Sequence, residues 1–204
     1  NHPRILAARM EYQKQKRMEV HKNFLSPYLA GLSHNISKIL PGDLVLGADS
    51  HTCTYGALGA FATGVGSTDL AITLATGKNW FKVPQTFKII VNGKVPKGIF
   101  AKDIILYIIG KVTSSGATYK AIEFTGDVID KLDMDGRFTI CNMVVEMGAK
   151  AGFMPQDKKT MLWLKSRFIK NKKIKQVTAD KPAKYIEVLE YDISRLKAQV
   201  ARPH

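Results

Sequence analysis

Aspartate, serine and histidine are adjacent at residues 49–51 and form the most unusual local group of polar side chains in the sequence. A carboxylate two residues from an imidazole can hold the ring in one tautomer and raise its basicity, which suits proton transfer. Two plainer interpretations stay open on residue types alone. Asp49 and Ser50 are also common caps and turn formers, and a single histidine often has a purely structural role.

The residues before this group predict how it is positioned. Leu44–Gly47 is a short apolar run after a Pro-Gly turn signal, which is typical of a buried strand. The polar side chains would then emerge at the carboxyl end of that strand, where open α/β sheets bind their ligands. A nucleotide loop is not supported, because Asp69 replaces the third glycine of a G-x-G-x-x-G pattern that begins at Gly64.

Alternating strand and helix patterns predict an α/β fold in two units, residues 1–82 and 83–204, because the alternation restarts near residue 83. Between the strand and the next helix we expect a glycine-punctuated loop over Tyr55–Gly66. A helix capped by Ser67 or Thr68 and closed by Gly77 should follow. The other predicted elements are helices over residues 3–23, 101–112, 139–150 and 157–170 and strands over residues 87–91, 121–125 and 185–191.

Charge and cysteine content restrict the function classes. The net charge is +14, of which residues 1–40 carry +5 and residues 156–204 carry +8, so the middle is almost neutral. Such flanks are typical of solvated faces, and a nucleic-acid patch is the less favoured interpretation. Two cysteines are too few for a disulfide framework and favour a reducing, cytoplasmic compartment. No apolar run approaches the roughly 20 residues that span a bilayer.

Longer motifs carry a family resemblance. The stretch from Pro41 to Asp69, with Asp-Ser-His-Thr at its centre, resembles the signature region of the aconitase superfamily, and specifically its isopropylmalate and homoaconitate branch. Residues 139–149 resemble the family's C-N-M-x-x-E-x-G-A motif. Residues 31–34 resemble its G-I-x-H-Q motif, although Asn35 replaces the glutamine. The resemblance covers about residues 29–203 and implies three-layer α/β/α units with mainly parallel sheets.

The resemblance also implies a reaction. Members of this family are hydro-lyases that remove water from a hydroxy di- or tricarboxylate and add it back in the other orientation, with a [4Fe-4S] cluster acting as Lewis acid. By resemblance, His51 and Asp49 form an acid–base pair beside the leaving hydroxyl, His34 supports the same polar network, and Glu146 binds the hydroxyl or water at the cluster. Two further residues bind substrate. The catalytic set is Asp49, His51, His34 and Glu146, and the substrate-binding set is Ser50 and Asn142.

The same resemblance implies groups that this sequence does not contain. The cysteines that hold the cluster lie in a different family motif, so we interpret Cys53 and Cys141 as packing residues and assign no metal ligand to this chain. A serine base belongs to a swivel domain or separate small subunit. We therefore expect this polypeptide to need that subunit, or the remainder of a large subunit, and not to turn over substrate alone. The alternative hypothesis is a non-catalytic, structural or RNA-associated relative that uses its basic flanks.

Overall fold

The computed structural model describes residues 39–167, 174, 176–180 and 183–202. The predicted helix over residues 3–23, the candidate catalytic residue His34 and the end of the helix predicted over residues 157–170 lie outside the described residues.

The described part of the chain alternates strands and helices. The elements in chain order are β1 (Leu44–Gly47), a first 3-10 helix (Ser50–Leu58), β2 (Phe61–Gly64), α1 (Ser67–Thr76), β3 (Thr86–Asn92), α2 (Ala101–Val112), β4 (Ala121–Thr125), α3 (Asp127–Lys131), α4 (Met134–Asn142), a second 3-10 helix (Met143–Met147), β5 (Ala151–Phe153), α5 (Lys158–Arg167) and β6 (Glu187–Asp192).

The strands form two sheets in which every described pair is parallel. Strands β1 and β2 make a two-stranded sheet, and the other four follow the order β5-β4-β3-β6. The α/β fold class with parallel sheets is thereby confirmed. Within the described residues, no helix is both long and apolar enough to cross a membrane.

The loop predicted over Tyr55–Gly66 is wrong. A 3-10 helix runs to Leu58, and Phe61–Gly64 is a strand that pairs with β1 in register, Leu44 opposite Phe61. The 3-10 helix buries six of its nine residues, so its apolar side chains follow no single face and give no helical periodicity. The partner of β2 is distant in sequence, so local patterns could not reveal it.

The helix predicted over residues 139–150 also has different bounds. Helix α4 begins at Met134, because the Asp133 side chain caps it by accepting a hydrogen bond from Gly136 N at 2.8 Å. After Asn142 the backbone forms a 3-10 helix. That helix is capped at its carboxyl end by Gly148, whose φ of 81° is left-handed. The helix therefore does not extend to residue 150, and strand β5 begins at Ala151. Helix α1 likewise begins after Gly66, without the side-chain cap expected from Ser67 or Thr68.

The main core lies on one face of the four-stranded sheet. Phe87, Ile89 and Val91 alternate along β3 towards helix α2, which contributes three fully buried isoleucines. Cys53 and Ala57 of the first 3-10 helix belong to the same buried cluster. The segment that follows β1 is therefore anchored against elements formed more than 80 residues later. The division into units at residue 83 stays a prediction.

Glycines permit the closest part of that packing. The backbone of Gly56 lies so near Gly152 that a Cβ on Gly56 would collide with the Gly152 carbonyl oxygen. Met154 N donates a hydrogen bond to Gly56 O at 3.3 Å across the same contact. Since both partners are backbone atoms, no rotamer change could relieve a side chain placed there.

We expect Gly56→Ala to destabilise the fold by about 3 kcal/mol, because the added methyl forces the 3-10 helix away from β5. Gly110→Ala is the matched control. Gly110 is exposed in α2 and has nothing within 4 Å of an added Cβ, so alanine should stabilise by about 0.5 kcal/mol. Urea unfolding measures both, and effects of the same sign would contradict this account.

A buried arginine on α4 bonds both to the residue just before α5 and to α5 itself. Arg137 is 1% exposed, and its guanidinium donates hydrogen bonds to Asp157 Oδ2 at 2.5 Å and to Thr160 Oγ1 at 3.0 Å. Burial raises the pKa of Asp157, but hydrogen bonds from Arg137 and Thr160 outweigh it, so the pKa lies below its ordinary value of 3.8.

Asp157→Asn should destabilise the fold by about 2 kcal/mol at neutral pH, since a buried guanidinium loses its counter-charge while Asp157 itself is partly exposed. A carboxyl group whose pKa is lower in the folded than in the unfolded state stabilises the fold at pH values above its unfolded-state pKa. The difference between wild type and variant should therefore be complete above about pH 4 and shrink on further acidification. Chemical unfolding across pH measures it. The control is Asp135→Asn. Asp135 is an exposed carboxylate on α4, the helix that carries Arg137, and its loss should change stability much less.

Candidate active site

The Asp-Ser-His group lies where the sequence places it, directly after strand β1. Asp49 has extended backbone angles and caps the first 3-10 helix, since its Oδ1 accepts a hydrogen bond from His51 N at 2.6 Å. Thr52 Oγ1 donates to Asp49 O at 2.6 Å and closes the turn. Gly64 allows this turn to cross the end of β2, because a Cβ there would lie 2.6 Å from Asp49 O.

The imidazole of His51 lies between two carboxylates. Its Nδ1 is 3.4 Å from both Asp49 Oδ1 and Ser50 Oγ, and its Nε2 is 3.8 Å from Glu146 Oε1. The His51 side chain is 37% exposed and that of Glu146 is 52% exposed. The ring therefore has a carboxylate on each side, and the exposure lets a ligand reach it. This arrangement can hold a proton and deliver it to a small molecule.

Asn142 joins this group through a residue that the sequence analysis missed. Asn142 Nδ2 donates a hydrogen bond to Thr54 Oγ1 at 2.8 Å, and Thr54 Oγ1 donates to His51 O at 2.6 Å. A threonine three residues after a histidine in a 3-10 helix can make the second bond. Because the sequence analysis did not predict that helix, it gave no reason to expect a hydrogen bond from Thr54 to His51.

The predicted polar set is partly brought together. Asp49, Ser50 and Glu146 each have an oxygen within 4 Å of the His51 ring, and Asn142 is linked to this group by hydrogen bonds through Thr54. Asn142 and Glu146 do not share one α-helical face, because Asn142 ends α4 and Glu146 lies in the second 3-10 helix. The catalytic and substrate-binding roles of these residues stay predictions.

The two thiols lie behind this group and do not suit metal binding. Burial raises the pKa of Cys53 to about 12, and its Sγ donates to Asn142 O at 3.4 Å. Burial also raises the pKa of the Cys141 thiol well above its ordinary value. A cluster ligand must be a thiolate, so these residues do not fit a [4Fe-4S] cluster. Among the residues that the structure covers, no group of three His, Cys, Asp or Glu side chains could hold a metal ion.

We expect iodoacetamide at pH 8 to leave both thiols of the folded chain unmodified, because each is buried and protonated. Intact-mass spectrometry measures the adducts. The unfolded chain is the control and should gain one adduct on each cysteine. Rapid labelling of the folded chain at either position would contradict the assigned burial.

Comparisons with known proteins identify the family of the chain. A model of the aconitase family (aconitate hydratase) matches residues 6–204. The chain is 58% identical over 166 residues to the 3-isopropylmalate dehydratase large subunit of Thermodesulfovibrio yellowstonii, covering 81% of this chain and 39% of that protein. It is 53% identical over 165 residues to a probable methanogen homoaconitase large subunit of Methanosarcina mazei, covering 81% and 42%.

A third relative, the 3-isopropylmalate dehydratase large subunit of Campylobacter concisus, is 48% identical over 186 residues, which cover 89% of this chain and 44% of that protein. The chain thus spans about two fifths of the length of the curated relatives it matches. With a family model that covers nearly its whole length and relatives at about half identity, this chain belongs to the aconitase family.

Proposed function

We propose that this chain supplies the proton-handling and substrate-binding residues of a hydro-lyase that isomerises a hydroxy di- or tricarboxylate by dehydration and rehydration. The observation that carries the proposal is the His51 imidazole held between the carboxylates of Asp49 and Glu146 at a partly exposed position. The names of the relatives support 3-isopropylmalate as the substrate, which would place the reaction in leucine biosynthesis. Homoaconitate-type acids are the other substrates that a relative's name supports.

His51 would protonate the leaving hydroxyl. Asp49 on the Nδ1 side favours a proton on that nitrogen, so Nε2 exchanges its proton with the substrate. When the imidazolium gives this proton to the hydroxyl oxygen, the C–O bond breaks and the oxygen leaves as water. The proton lost from the neighbouring carbon goes to a base outside this chain, the serine that the family resemblance implies.

Glu146 would hold the same oxygen. His51 Nε2 and Glu146 Oε1 are 3.8 Å apart, so an oxygen beside the pair can reach both, accepting a hydrogen bond from His51 and donating one to Glu146. The exposed hydroxyl of Ser50 and the amide of Asn142 are the neutral donors beside it, suited to a substrate carboxylate. His34 is proposed to support this set by resemblance alone.

One further part of the proposal rests on the family. A small subunit or the remainder of a large subunit would complete the site, since the relatives are named as large subunits. The [4Fe-4S] cluster does not fit the described residues, so we derive no step through it. A cytoplasmic location stays a prediction. The RNA-associated alternative gains no support, because its basic stretches, residues 14–17 and 170–175, lie almost wholly outside the described residues.

The proposal is tested by grafting. The 166 matched residues of this chain replace their counterpart in the Thermodesulfovibrio yellowstonii large subunit, which is then paired with its own small subunit. We expect the graft to dehydrate 3-isopropylmalate. Separate His51→Gln and Glu146→Gln substitutions should each lower kcat by about 100-fold or more, because each removes a group that handles the proton in transit.

Glu190→Gln is the matched control for Glu146→Gln, since Glu190 is an exposed carboxylate on β6, remote in sequence from the site, and its loss should leave kcat unchanged. A graft that folds and binds the small subunit but has no activity would contradict the proposal. So would His51→Gln with the activity of the Glu190 variant.

A further inference from the structure

The hydroxyl of Thr54 joins two parts of the candidate site that come from distant segments. It donates to the carbonyl oxygen of His51 at 2.6 Å and accepts from Asn142 Nδ2 at 2.8 Å. Thr54 and Asn142 are 88 positions apart in sequence. The two hydrogen bonds therefore connect the first 3-10 helix, which carries His51, to the end of helix α4, from which the segment bearing Glu146 continues.

The number of protons on Thr54 decides the direction of both bonds. A threonine hydroxyl has one proton, and a backbone carbonyl can only accept, so that proton goes to His51 O. The hydroxyl can then only accept from Asn142. The amide nitrogen of Asn142 must face Thr54, which directs its Oδ1 away from the first 3-10 helix.

A second contact fixes the backbone of the same asparagine. Cys53, the neighbour of Thr54, donates its thiol hydrogen to Asn142 O at 3.4 Å, and its side chain is fully buried. Adjacent residues of the 3-10 helix thus hold Asn142 at two points, the backbone through Cys53 and the side chain through Thr54. Thr54 is half-buried, which places its hydroxyl at the boundary between the core and the site.

We propose that Thr54 is a positioning residue whose hydroxyl sets the orientation of the Asn142 amide and its separation from His51. The inference rests on the proposed function in that Asn142 and His51 are taken as site residues. The consequence for substrate is specific. With its nitrogen held by Thr54, Asn142 offers Oδ1 as an acceptor and its second N–H as a donor, so it suits a partner that carries both a hydroxyl and a carboxylate.

A matched pair of variants separates this role from simple packing. Thr54→Ser keeps the hydroxyl and loses the methyl group, whereas Thr54→Val keeps the shape and loses both hydrogen bonds. If Thr54 only fills space, serine is the more harmful change. If its hydroxyl positions Asn142, valine is the more harmful change and serine restores the wild-type behaviour.

The first experiment uses the full chain labelled with nitrogen-15. The side-chain amide signals of Asn142 are assigned by their loss in Asn142→Asp. We expect Thr54→Val to shift both amide proton signals, because the nitrogen loses its acceptor, and Thr54→Ser to leave them in place. Unchanged signals in Thr54→Val, or equal shifts in the two variants, would overturn the proposal. This readout does not depend on activity.

The second experiment places both variants in the grafted large subunit. Thr54→Val should lower kcat by roughly 10- to 100-fold, with KM changed less, while Thr54→Ser stays within about threefold of wild type. An inactive wild-type graft whose amide signals follow the expected pattern would reject the proposed function and leave the positioning role intact. Full activity in Thr54→Val would reject the role of Thr54 while the proposed function stands.

Discussion

The contact between the backbones of Gly56 and Gly152 is the constraint on which the candidate site depends. It lets the first 3-10 helix lie directly against β5, and β5 is held in the parallel sheet by β4. A side chain at Gly56 would move that helix outward and carry His51 with it, because the two residues share one short, buried element. The separation between His51 and Glu146 is thus set by a contact that itself contains no reactive group.

The site combines a rigid backbone with accessible side chains. Asp49 caps the helix and Thr52 closes the turn, so the backbone that carries His51 has its hydrogen bonds satisfied locally. The imidazole is only loosely held, with neighbours at 3.4 Å and 3.8 Å, beyond the best hydrogen-bond range. In the proposed function these two properties fix the position of His51 while leaving its ring within reach of a ligand.

Sequence patterns predicted several of the regular helices and strands. Helix α2 and strand β4 have the bounds that periodicity indicated, and β1 ends just before Asp49 as expected. The same method was wrong for residues 55–66, because the 3-10 helix there buries six of its nine residues and shows no helical periodicity. Thr54 was missed for the same reason, since its role appears only once the 3-10 helix places it opposite Asn142.

The two buried cysteines pack behind the candidate site and support it from the core. Cys53 and Cys141 lie in the core behind His51 and Asn142, and burial keeps both thiols protonated. The neutral sulfur of Cys53 gives Asn142 a soft, apolar support with one weak hydrogen bond. In the proposed function the polar side chains of this site move protons, while Cys53 and Cys141 serve packing.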